Sequence, residues 1–142
     1  MEIINPSDEE LIQDNKYFIK HFVNGMTHIL ILYILSNEKI HGYGITKKMN
    51  EFLEVVHACD KTKRVNPSKI YPILSKMEAK GIVQSEEGLH NNKKIKYYEV
   101  TPKGHRLLKL IQRKWHKLFT YNDWKSFFED MTGTTIVVIG DE

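Results

Sequence analysis

The stretch Asn66 to Gly81, NPSKIYPILSKMEAKG, restricts the fold more than any other, because the start, face and stop signals of one helix coincide there. Asn66 can cap with its side-chain oxygen, and Pro67 suits the first helical position, where a missing N–H costs nothing. Ile70, Ile73, Leu74 and Met77 come at i, i+3, i+4 and i+7, so one stripe faces a core. Gly81 supplies the left-handed residue that commonly ends a helix. The opposite face carries Ser68, Lys69, Pro72, Ser75 and Lys76 without a carboxylate; Glu78 sits to one side. Pro72 falls near the first turn, where the lost hydrogen bond is least damaging. Two readings fit: an amphipathic helix with a wet, lysine-rich back, or a helix whose cationic face meets a polyanion.

Charge distribution favours the second. Residues 1–60 hold five Lys/Arg against nine Asp/Glu, residues 61–106 eleven against four, and residues 107–142 five of each. The positive excess is thus concentrated around the helix just described, the footprint expected for a polyanion partner.

The residues after Gly81 strengthen this. Ile82 to Glu87 reads as a strand, Gly88 to Asn92 as a turn-rich loop, and Lys93 to Thr101 as a second strand. Lys93, Lys94 and Lys96 lie at and beside the tip of this hairpin. Upstream, Met26 to Leu35 is apolar nearly all round and reads as a central buried helix, with His28 a core or boundary side chain. A second helix is expected from about Tyr43 to at least Leu53, with Ile45, Met49, Phe52 and Leu53 inward. Three helices and then a basic-tipped hairpin is the layout of a winged helix-turn-helix. Its third helix suits the major groove, and its hairpin reaches the adjacent backbone or minor groove.

The flanks add further expectations. Residues 1–23 predict a helical arm that starts at a Ser7/Glu10 capping box and ends at Asn24-Gly25. The winged-helix domain is expected over 24–102. Thr101-Pro102 opens a long helix expected to run over 103–131. There Leu108, Ile111, Trp115 and Leu118 have the spacing of a coiled-coil seam, and Phe119 adds apolar surface beside it. That surface predicts a homodimer; the alternative is a helix folded back on its own domain. The β-prone tail over 132–142, with Ile136 to Ile139 uncharged, is expected to be paired or covered.

Several function classes fit poorly. A lone Cys59 excludes an internal disulfide framework. Its neighbour His57 lies in an irregular connector, without C-x-x-C or H-E-x-x-H spacing, so no metal set and no cofactor are expected. Gly42 and Gly44 lack the context of a phosphate loop, and no nucleophile–base pair is suggested by spacing. No apolar run approaches the roughly 18 residues of a membrane span, and no leader is visible, so a cytoplasmic protein is expected.

A set of motifs then narrows the reading. Gly25, Ile31-Leu32-Tyr33-Ile34-Leu35, His41-Gly42-Tyr43, Pro67-Ser68-Lys69-Ile70-Tyr71-Pro72-Ile73-Leu74, Met77-Glu78, Lys80-Gly81-Ile82-Val83 and Lys96-Tyr97-Tyr98-Glu99-Val100-Thr101-Pro102-Lys103-Gly104 occur in order from Gly25 to Leu108. In that order and spacing the chain resembles the PadR family of transcriptional regulators. The resemblance implies a winged-helix repressor, dimerised through its C-terminal helix on a pseudo-palindromic operator. It also implies that an aromatic ligand near the dimer interface relieves repression, with Trp115 and Trp124 as candidate lining beside their role in packing. It accounts for Pro72, since the family carries a Tyr-Pro pair there. The connector 54–65 is longer and more basic than the family pattern, and the arm and tail lie outside it.

The expected DNA contacts are Ser68, Lys69, Tyr71, Ser75 and Lys76 at the groove, with Lys61, Lys63, Arg64, Lys93, Lys94 and Lys96 on phosphates. A winged helix used for protein contact, without DNA, is the competing reading.

Overall fold

The computed structural model describes residues 7–57 and 64–139. Its first element, α1 (Asp8–Asn37), is a single helix of 30 residues. Ser7 caps it, its side chain accepting from the Glu10 N–H at 3.2 Å, and Asp8, Glu9 and Glu10 complement the helix dipole. The break expected at Asn24-Gly25, and with it the arm boundary at 23, is not there. Ile19 and Val23 pack on the same core as Ile31, Ile34 and Leu35, so one apolar stripe continues across the glycine. That burial outweighs the roughly 1 kcal/mol that glycine costs a helix. At the far end the Ser36 hydroxyl and the Asn37 amide both donate to the Tyr33 carbonyl, folding two polar side chains back onto the last turn. His28 is exposed rather than at the core or its boundary.

By length and composition alone α1 would also cross a membrane, although its longest unbroken apolar block is short. Here Ile31, Leu32, Ile34 and Leu35 form the centre of the core instead. Against them pack Ile45, Met49 and Leu53 of α2 (Gly42–His57) and Ile70, Leu74 and Met77 of α3 (Pro67–Ala79). Asn50 of α2 fixes the approach to α3. Its amide donates to the Val65 carbonyl at 2.9 Å, and its oxygen accepts from the Val65 N–H at 2.8 Å.

A three-stranded antiparallel sheet closes the core, in the order β1-β3-β2. Strand β1 (Ile40–His41) lies in what reads locally as a polar connector. It exists because Ile40 pairs with Tyr98 of β3 (Lys93–Val100). Strand β2 (Val83–His90) pairs with β3 from Val83↔Val100 to His90↔Lys93. The expected five-residue loop is therefore only Asn91-Asn92, with φ of 50° and 64°, as a tight two-residue hairpin turn requires. Gly88 belongs to the strand because the Tyr97 ring lies over it. A Cβ there would sit 2.6 Å from the ring.

The long C-terminal helix is two. α4 (Pro102–Thr120) ends at Tyr121, whose backbone is extended, and α5 (Asn122–Thr132) restarts at once. The turn lets Phe128 stack on Phe119 at 4.7 Å, with Trp124 beside it at 6.0 Å. Leu107, Leu108 and Ile111 pack against the domain core, so the first half of the expected seam is engaged at home. The tail forms no strand over 134–139. Ile136 N–H donates to Glu129 Oε2 at 2.9 Å, while Val137 and Ile139 are exposed rather than covered.

Candidate nucleic-acid interface

α3 is held at both ends by its own sequence. The Asn66 oxygen accepts from the Ser68 N–H at 3.0 Å and from the Ser68 hydroxyl. At the other end, Gly81 N–H donates to the Glu78 carbonyl and Ile82 N–H to the Met77 carbonyl, both at 2.9 Å. These two bonds make the Schellman closure that left-handed Gly81 (φ 72°) permits. Between the ends, Ser68, Lys69, Tyr71, Pro72, Ser75 and Lys76 are all exposed, on the face opposite buried Ile70, Leu74 and Met77.

The one carboxylate of this helix points elsewhere. Glu78 accepts from the Ser85 hydroxyl of β2 at 2.5 Å, which ties α3 to the base of the hairpin. Tyr98 is buried beside it. That burial, followed by the Glu78 carboxylate and Tyr71, raises the Tyr98 phenol above its ordinary value of 10.0.

A groove of about 500 Å³ runs between the start of α2, α3 and the hairpin. Tyr71 and Ser75 line it from α3, Lys94, Ile95, Lys96, Tyr98 and His90 from the hairpin, and His41 and Tyr43 from the entry to α2. No carboxylate is among these lining residues. Strand alternation puts Lys94 and Lys96 on the ribbon face that carries Tyr98, and Lys93 on the other. Lys96 stands opposite Glu87 in register, whereas Lys94 stands opposite Leu89.

Tyr71 is fixed from behind. A Cβ on Gly42 would lie 2.6 Å from its ring, so only glycine at that position lets the ring settle over the start of α2. His41 caps α2 through Nδ1, which accepts from the Gly44 N–H at 2.8 Å. Its ring also meets His90 and Tyr97, with centroids 4.8 and 5.7 Å apart.

Of the expected phosphate contacts, Arg64 lies apart from this groove. It borders a second depression with Lys47, Asn50 and Glu54, and stands 3.9 Å from the Glu54 carboxylate. Both partners are more than half exposed, so solvent screens the pair. Lys61, Lys63 and Cys59 fall outside the described residues, as does the side chain of His57. Sequence reasoning alone does not single out His41, Tyr43 or His90 as site residues. The available signal for the first two is a histidine and an aromatic flanking Gly42 at a helix start. Trp115 and Trp124, the candidate pocket pair, are 42% and 48% exposed.

The geometry is that of a winged helix, and comparison with known proteins decides which kind. The family model described as the transcriptional regulator PadR-like family matches residues 31–110, more than half of the chain. The chain belongs to that family. A transcriptional regulator of Mycobacterium tuberculosis is 26% identical over 90 residues, covering 63% of this chain and 76% of the relative. Among solved structures, a PadR-like transcriptional regulator of Bacillus cereus aligns with a TM-score of 0.57 and 27% identity, over 70% of this chain and 90% of that one. A PadR family regulator of Eggerthella lenta gives a TM-score of 0.60 over 78% of this chain and 87% of its own, and at 23% identity speaks for the fold alone. As a class, PadR-like regulators are transcription factors rather than enzymes. The matched span begins late in α1 and ends within α4, so the family assignment covers the groove described above but neither the start of α1 nor α5.

Proposed function

We propose that this PadR-like regulator is a cytoplasmic repressor that binds double-stranded DNA as a homodimer. α3 enters the major groove, and the hairpin rests on the adjacent backbone and minor groove. The observation that carries this reading is the groove in which Tyr71 and Ser75 face Lys94 and Lys96 with no carboxylate among the lining residues. Such a surface attracts phosphate and positions the duplex, while Ser68, Lys69, Ser75 and Lys76, all exposed, would reach base edges. Two heads of this kind, related by a two-fold axis, would fit a pseudo-palindromic operator with half-sites about one helical turn apart.

Support for the dimer comes from apolar surface that one chain leaves uncovered. Leu11, Ile12, Phe18 and Phe22 share one face of the first half of α1, with Phe18 69% exposed. α4 carries six Lys/Arg and no carboxylate, and the start of α1 carries Asp8, Glu9 and Glu10. A symmetric pairing of α1 on the partner's α4 and α5 would match both the apolar and the charged surfaces. Trp115 and Trp124 would then border that interface, where the family resemblance places an aromatic effector.

The test is a gel shift with the DNA upstream of the protein's own gene at two salt concentrations, run beside light scattering. The expected result is a dimer whose binding weakens steeply with salt and is relieved by an aromatic compound that quenches tryptophan emission. Salt-independent binding, or none to any duplex, would overturn the DNA reading. A wild-type monomer unaffected by Phe18→Glu would overturn the dimer.

A further inference from the structure

We propose that Leu89 at the hairpin tip is a wedge that enters the minor groove and partly unstacks one deformable base step, so that it selects sites by flexibility rather than by hydrogen bonding. The proposal rests on the DNA-binding reading above and adds a specificity-determining residue to it. Leu89 is 70% exposed, one position before the end of β2, and packs in no core cluster. Its register partner is Lys94, and Lys96 comes next on the same ribbon face, so the apolar side chain is framed by ammonium groups. Towards the tip the one carboxylate on that face is Glu87, opposite Lys96.

The tip is also stiff. The Tyr97 hydroxyl donates to the Leu89 carbonyl at 3.2 Å, the Tyr97 ring covers Gly88, and the turn has only two residues. A leucine held rigidly among cations, on the face that also lines the α3 groove, suits a polyanion with an apolar interior that opens under strain. The minor groove offers this at pyrimidine–purine steps, where inserted leucine and similar side chains unstack bases and kink the duplex. An acidic protein surface would match the lysines but would leave the leucine without a slot.

The test starts from duplexes selected by the full-length protein from a random pool, labelled with 2-aminopurine at pyrimidine–purine steps. Bending is read by circularly permuted mobility. Leu89→Ser should keep the wild-type circular dichroism and melting. It should lose about ten- to a hundred-fold in affinity, the ratio that burial of one leucine represents, and lose both the fluorescence rise and the bend. Leu89→Phe should retain both signals. Lys94→Ala should weaken binding yet keep them. If Leu89→Ser binds and bends DNA as the wild type does, the wedge is refuted while DNA binding stands. If the wild type selects no duplex, the DNA reading itself falls. Leu89-dependent sedimentation with phosphatidylserine vesicles and no effect on DNA would move the site to a lipid surface and overturn the proposal.

Discussion

Removing the Lys94 ammonium group separates phosphate attraction from every other source of affinity. Leaving aside Lys93 on the far ribbon face, four exposed lysines stand on the two elements proposed to meet DNA: Lys69 and Lys76 on α3, Lys94 and Lys96 on β3. In the proposed homodimer two chains would present eight. With about 0.9 log unit of affinity per log unit of salt for each phosphate neutralised, the wild-type slope should be near −7. Lys94→Ala removes one cation per chain and should bring the slope to about −5.4. Between 50 and 200 mM salt the wild type should then lose roughly 10⁴ in affinity and the variant roughly 10³. Lys96→Ala should change the slope less, because Glu87 stands opposite Lys96 in register while Lys94 faces Leu89. The assay is fluorescence anisotropy on one duplex at five salt concentrations, with Lys48→Ala of α2, which pairs with Glu38 outside the groove, as control. Equal slopes for wild type and Lys94→Ala, with circular dichroism unchanged, would refute the claim that the hairpin tip neutralises phosphate.

Packing sets three further outcomes. Gly25→Ala should raise stability by about 0.5–1 kcal/mol, because the site is helical and a Cβ there meets nothing within 4 Å. A lowered melting temperature would show that the helix is interrupted there after all. Asn50→Ala should cost about 2–3 kcal/mol in urea titrations, since both backbone groups of buried Val65 lose their partner. A change under about 0.5 kcal/mol would mean that water replaces both bonds without penalty. Tyr98 has a folded-state phenol raised above 10.0, so its contribution to stability is fully present below that pH and is lost as pH climbs through the folded value. Tyr98→Phe should therefore flatten the alkaline limb of the stability profile, and an unaltered limb would contradict the assigned cause.

The parts of the fold legible in the sequence are those specified by neighbours in the chain. Asn66, Pro67 and Gly81 punctuate α3 locally, and the i, i+3, i+4 stripe through Ile70, Ile73 and Leu74 fixes its inner face. Elements set by distant partners leave no such local mark. β1 exists only through pairing with Tyr97 and Tyr98, more than fifty residues away. Glycine is ambiguous for a related reason. Gly88 looks like a turn residue and Gly25 a helix breaker, but one is flattened under the Tyr97 ring and the other is carried through by burial on either side. The division at Tyr121 likewise reflects stacking of Phe128 on Phe119, which helical periodicity does not encode. At the candidate site, the exposed face of α3 and the hairpin lysines are readable from composition. The contribution of His41, Tyr43 and His90 is not, since it depends on separate stretches of the chain meeting across the sheet.

The Glu78–Ser85 bond has a consequence for how such a protein is switched. Together with Thr101, whose hydroxyl donates to the Gly81 carbonyl at 2.5 Å, it fastens the end of α3 to both margins of the hairpin. Neither element can tilt against the other without breaking charged or part-buried hydrogen bonds. Each head therefore moves as one solid jaw, and in the proposed dimer a signal that loosens its grip would act at the handles, by altering how far apart two jaws are held.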